Sequence, residues 1–261
     1  MFDNIFLVLF TPLLGTIIGS TFVFFIKKEI PSQLQKVMLG FAAGVMIAAS
    51  VWSLLIPSMD MCEHMGKMRV IPAVVGLLIG FVFMNFIDRV TPHLHFISSQ
   101  TEGMKSKLSR TSKIALAVTI HNLPEGMAVG IVLATALEGN SLDVTIAAAM
   151  AVAIGMAIQN IPEGAIVAMP MLAEGNSRIK SFVIGALSGL VEPIGAIITI
   201  LVVSIVGPTL PYLLAFSAGA MLYVVVEELI PEASKGEHSN IATGGFVCGF
   251  ALMMMLDVML S

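Results

Sequence analysis

Eight runs of apolar residues divide this chain, near residues 5–26, 36–57, 70–90, 113–135, 144–170, 181–206, 211–231 and 241–260. A helix needs roughly 20 apolar residues to cross the hydrocarbon core of a bilayer. Lipid offers no partner to backbone N–H and C=O groups, so a spanning segment must satisfy them internally. Runs of this length predict an all-α membrane bundle of eight transmembrane helices, residues 1–261 forming a single domain. Only 11% of the residues are charged, against about 25% in a soluble domain, too few to keep such a surface in water. Nothing resembles a nucleic-acid module. Cys62 and Cys248 are too few for a disulfide framework and are expected as free thiols. The first run follows Met1-Phe2-Asp3-Asn4, without the positive flank of a cleaved leader, and reads as a retained helix.

Charge, Gly and Pro mark the joins. The longest connector, residues 91–112, contains Thr101, Glu102, Gly103, Lys105 and Ser106 and is expected to be mobile. The joins also set orientation, because cytoplasmic loops hold an excess of Lys and Arg. Lys27, Lys28, Lys36, Arg89, Lys105, Lys107, Arg110, Lys113, Arg178, Lys180 and Lys235 fall in odd-numbered loops, and Lys67 and Arg69 in an even-numbered one. Eleven against two predicts cytoplasmic odd loops and both termini outside.

Two internal repeats are visible. His121-Asn122-Leu123-Pro124-Glu125-Gly126 in the fourth run returns as Gln159-Asn160-Ile161-Pro162-Glu163-Gly164 in the fifth. Phe41-Ala42-Ala43-Gly44-Val45-Met46 in the second run matches Phe216-Ser217-Ala218-Gly219-Ala220-Met221 in the seventh. Further on, Leu54-Leu55-Ile56-Pro57 resembles Glu228-Leu229-Ile230-Pro231 with a slip of one residue. Each pair runs in opposite directions in the charge-derived topology. That predicts inverted repeats in a 3+2+3 arrangement, which in transporters place the substrate near the midplane at interrupted helices.

Glu125, Glu163 and Glu192 lie deep in their runs, and no Lys or Arg lies at that depth. A carboxylate at the bilayer centre costs roughly 2.5–3.5 kcal/mol, so three unpaired ones cost on the order of 8–10 kcal/mol. Protons or metal cations are the available neutralisers. His121 and Glu125 are four residues apart and face one side of a helix, as do Gln159 and Glu163. Asn122 and Asn160 stay within about 60° of the Glu a turn on. Pro124, Pro162 and Pro193 lack an N–H and are expected to free the carbonyls of Ile120, Ile158 and Gly189. Imidazole, carboxylates and amides without thiolate suit Zn(II), Fe(II), Mn(II), Co(II) or Cd(II) as bound substrate, with no resident cofactor. Three carboxylates allow one ion or two.

These motifs, with the Glu192-Pro193 step and Val226-Glu227-Glu228-Leu229-Ile230-Pro231-Glu232, resemble the ZIP (Zrt/Irt-like) family of divalent metal transporters, in its GufA-type branch. The resemblance covers the whole chain. It implies two adjacent metal positions, one using His121, Glu125, Gln159 and Glu163, the other Asn122, Asn160, Glu163 and Glu192, with Glu125 bridging. Some relatives carry Asp where this chain has Asn160, and His where it has Gln159. The resemblance further implies alternating access, with helices one, four, five and six moving against two, three, seven and eight. It also implies a plasma (inner) membrane location and a homodimer. The expected activity is transport of a divalent transition metal, zinc first, into the cytoplasm, with no enzymatic reaction. A metal-selective channel and a proton-coupled carrier of another solute are the alternatives. Pathway residues expected at the cytoplasmic side are Glu227, Glu228, Glu232, Asp88, His93 and His95. Met61, Cys62, Glu63 and His64 are candidates for external capture.

Overall fold

The computed structural model describes residues 2–25, 30–94, 101–102, 110–138, 145–206, 209–236 and 240–260. Eight helices are long and apolar enough to cross a membrane: Asn4–Phe25, Ser32–Asp60, Glu63–Val90, Val118–Leu137, Ile146–Ala173, Arg178–Val203, Leu210–Ser234 and Ile241–Met259, numbered one to eight below. Each overlaps one of the eight apolar runs, the largest offset being at the start of helix three, Glu63 against residue 70. The long connector departs from its expectation at one place. His93–Leu94 pairs antiparallel with Thr101–Glu102, a two-residue ladder at its foot. Residues 95–100 and 103–109, His95 among them, lie outside the described part.

Composition decides which helices go inside. Helices two, four, five and seven are mostly buried, whereas one, three, six and eight turn much of their surface outward. The inner helices carry runs of small residues, such as Ala42-Ala43-Gly44 and Ala148-Ala149, that let backbones approach. In lipid such close packing is a principal source of association. The outer helices carry large apolar residues a turn apart, as in Leu78, Val82 and Phe86 of helix three, all exposed. Helix one packs on five, four on six, two on eight and three on seven. Helices four and five also bridge the two groups, four touching seven, and five touching two and eight.

Three of the helix prolines leave visible marks. Helix two widens into a π-helical segment at Ser50–Leu55, just before Pro57. Helix seven does the same at Val225–Leu229, just before Pro231. A proline clashes with the carbonyl four residues back, and a π turn, with its extra residue, opens the ring where that clash falls. The segments have six and five residues. That one-residue difference is the slip seen between the two sequence repeats. On helix two the widened segment turns Ser53 toward Asp257 of helix eight, whose carboxylate accepts the Ser53 hydroxyl.

Helix six is broken rather than kinked. Helical geometry runs from Arg178 to Ser188 and resumes at Val191, with Gly189 and Leu190 between. The expectation that Pro193 frees the Gly189 carbonyl needs correction. Glu192 N–H turns back one residue short and donates to Gly189 O at 3.1 Å. The carbonyl passed over is that of Ser188. Helices four and five, by contrast, continue through Pro124 and Pro162.

Candidate metal centre

The two motif helices lie side by side near the middle of the bundle. His121, Asn122, Glu125, Gln159, Asn160, Glu163 and Glu192 are all buried there, the most exposed at 8%. The motif glycines explain why these helices approach their neighbours so closely. A Cβ on Gly126 would overlap the backbone of Glu192 on helix six, and a Cβ on Gly164 would overlap the carbonyl of Thr16 on helix one. Gly126 thus seats Glu192, and Gly164 seats Thr16.

Glu192 and Thr16 meet. The Thr16 hydroxyl donates to Glu192 Oε1 at 3.3 Å. Asn122 Nδ2 donates to the same oxygen at 3.1 Å, and Asn160 Nδ2 to Glu192 Oε2 at 2.7 Å. Each amide spends its other hydrogen on a backbone carbonyl. Asn122 Nδ2 reaches Ser188 O at 3.4 Å, the carbonyl left over by the break in helix six, and Asn160 Nδ2 reaches Pro12 O at 3.2 Å. One carboxylate therefore ties helices one, four, five and six together.

The other half of the cluster is in the opposite condition. Both oxygens of Glu125, Asn122 Oδ1, Gln159 Oε1 and Glu163 Oε2 are buried without a hydrogen-bond donor among the described residues. Gln159 lies beside Glu125 but gives its Nε2 to Asn160 Oδ1 at 3.3 Å. Glu125 is near enough to Glu163 and Glu192 to feel their charge. Five acceptor oxygens thus stand on the two motif helices. Among the described residues no three His, Cys, Asp or Glu side chains stand close enough to hold a metal by themselves. Asn122 and Gln159 add amide oxygens beside the carboxylates.

His121 reaches helix seven. Its Nε2 lies 3.1 Å from Glu228 Oε1, so helix four is tied to the π-helical segment of helix seven. Beside the pair is a cavity of about 20 Å³ lined by His121, Glu163, Glu228 and Glu232 with apolar neighbours. That is room for about one water-sized occupant. Glu232 is buried at its far end, while Glu227 is exposed. Asp88 accepts a hydrogen bond from Tyr223 Oη at 3.0 Å. The His93 backbone lies in the short ladder, away from helix seven in sequence. Glu63 and His64 are exposed, whereas burial pushes the Cys62 thiol up, away from the thiolate that binds metal.

Sequence reasoning found the seven polar residues but not Thr16 or the Pro12 and Ser188 carbonyls. A threonine in an apolar helix normally bonds its own backbone, as Ser20 does to Thr16 O at 2.8 Å. Its reach across to Glu192 has no local signature. The His121–Glu228 contact likewise joins residues 107 positions apart in sequence.

Eight helices long and apolar enough to span a membrane, around a buried cluster of carboxylates and amides, define a polytopic membrane protein. The family model described as ZIP Zinc transporter matches residues 96–257. The chain is 34% identical to zinc transporter ZIP11 of Xenopus tropicalis, over 94% of this chain and 96% of that protein. It is 33% identical to zinc transporter GufA of Myxococcus xanthus, over 90% of this chain and 91% of the relative. It is 36% identical to zinc transporter ZIPB of Bordetella bronchiseptica, over 89% of this chain and 74% of the relative. The chain belongs to the ZIP family.

Proposed function

We propose that this protein carries zinc, or a related divalent transition-metal ion, across the membrane into the cytoplasm, with residues 1–261 acting as one transport domain. One observation carries the reading: five buried acceptor oxygens stand on the two motif helices without a hydrogen-bond donor among the described residues. A buried unpaired carboxylate is costly, and a divalent cation removes that cost at once. Glu125, Glu163, Gln159 and Asn122 supply oxygens, and His121 supplies the nitrogen once it leaves Glu228. This mixture of oxygen and imidazole donors suits zinc and its first-row neighbours. The names of the relatives describe zinc transporters, which supports the same substrate.

The path inward runs past Glu228 and Glu232 along the small cavity, with Asp88, Glu227, His93 and His95 toward the cytoplasmic mouth. A cavity this small suits a carrier that occludes its ion rather than a channel. The pairing of one with five, four with six, two with eight and three with seven supports two moving groups, as alternating access requires. The distribution of Lys and Arg supports both termini outside. A plasma-membrane location and a homodimer follow from the resemblance.

The test is ⁶⁵Zn uptake into proteoliposomes. Wild-type flux is expected to saturate with zinc concentration, and His121→Ala to lower it at least about tenfold, the lower end of the loss seen when a metal site loses even an outer partner. Wild-type uptake by His121→Ala would remove the histidine from the site, and flux that never saturates would favour a channel.

Glu228→Ala gives a separate expectation. Glu228 competes with the ion for His121 Nε2, and a hydrogen bond to a charged group contributes about 1.5–3 kcal/mol. Releasing the histidine is expected to lower the KM for zinc by at least about tenfold. Concentration-dependent uptake measures this, and an unchanged or raised KM counts against the competition.

A further inference from the structure

We infer that the cluster of Thr16, Asn122, Asn160 and Glu192 is a strut and not a second metal position, so that the protein carries one ion at a time. The inference rests on the site proposed above and concerns its occupancy.

The orientation of the two amides decides the matter. Each NH₂ group faces Glu192 and also a backbone carbonyl, which has no proton to give: Ser188 O for Asn122 and Pro12 O for Asn160. The amide nitrogens must therefore point toward Glu192, and an N–H group cannot ligate a cation. To bind a metal beside Glu192, both amides would have to turn over. Ser188 O would lose the donor that compensates the break in helix six, because Glu192 N–H is already committed to Gly189 O. Asn160 Oδ1 would also give up the hydrogen it takes from Gln159. Glu192, completely buried, has its two carboxyl oxygens met by three donors from three helices. The cluster is already satisfied.

The neighbouring set is not satisfied, and the division is sharp. Asn122 turns its nitrogen to the strut and leaves Oδ1 without a donor. One divalent ion among Glu125, Glu163, Gln159 and Asn122 balances the two carboxylates that face it. Asn160 is the residue that fixes this stoichiometry. Asp at that position would remove both N–H bonds, leave Pro12 O without this donor, and set a second carboxylate against Glu192. The pair would then need a cation between them.

Metal stoichiometry on the full-length protein in detergent tests this, by titration calorimetry with Cd²⁺ and by elemental analysis after gel filtration in zinc. The expected result is one ion per chain for wild type and two for Asn160→Asp. Two ions per wild-type chain overturn the strut, and no bound ion overturns the proposed function instead. Should Asn160→Asp not fold, Thr16→Val serves in its place. It removes one donor to Glu192, so a strut predicts a lower Tm with one ion still bound and a Kd unchanged within about threefold. An unchanged Tm with weaker binding overturns the proposal.

Discussion

Glu163→Gln is expected to reduce zinc uptake to the level of empty liposomes while making the metal-free protein more stable. The substitution keeps the shape of the side chain and removes one charge. At an effective dielectric near 20, a unit charge about 4 Å from another is worth about 4 kcal/mol, so a divalent ion loses at least about a thousandfold in affinity. The empty site responds in the opposite sense. Glu125 is buried near Glu163 and Glu192, and taking one charge from the group relieves repulsion that the fold otherwise bears. Two melting curves check both halves. Wild type is expected to gain Tm with added zinc, since a ligand at about 100 times its Kd stabilises by about 2.7 kcal/mol. Glu163→Gln is expected to start higher and to gain nothing. A variant that still shifts with zinc would place the ion elsewhere.

Gly126→Ala is expected to lose uptake at least about tenfold without touching a ligand. The new methyl group would overlap the Glu192 backbone, and backbone cannot swing aside as the end of a flexible side chain can. Helices four and six must separate. Overpacking of this kind costs about 1–3 kcal/mol, and the separation also pulls Asn122 from Glu192 and from Ser188 O. Gly244→Ala is the control. A Cβ there meets nothing within 4 Å, so its uptake and Tm are expected to match or slightly exceed wild type, alanine being the better helix former. Equal uptake by both variants would show that the contact between helices four and six tolerates movement.

Much of this architecture is written in the chain because lipid is a strict solvent. It demands long apolar runs, which is why the eight spans could be marked. It makes every deep carboxylate conspicuous, which is why Glu125, Glu163 and Glu192 stood out. What local pattern does not encode is where one helix touches another. Thr16 looks like any hydroxyl that bonds its own turn, and its role depends on Gly164 bringing helix one against helix five. Pro193 announced a disturbance in helix six, but the orphaned carbonyl moved to Ser188 when Glu192 N–H chose a tighter turn. The orientation of Asn122 and Asn160 depends on acceptors on other helices, Pro12 O and Ser188 O, which spacing along one helix does not show. Glu228 was placed by sequence near the mouth of helix seven. Its contact with His121 depends on the π-helical segment, whose only trace in the sequence is a slip of one residue between imperfect repeats.

The two widened segments have a consequence for the resting state. A carrier made of two identical inverted halves would hold its inward-open and outward-open forms at equal free energy, and an empty molecule would divide its time evenly between them. Here the halves differ. Helix two has a six-residue segment that presses Ser53 on Asp257, and helix seven has a five-residue segment that presses Glu228 on His121. On the proposed alternating-access and inverted-repeat reading, that mismatch lifts the degeneracy, so the empty protein favours one side of the membrane. The ion then works against a preset tilt rather than a level balance.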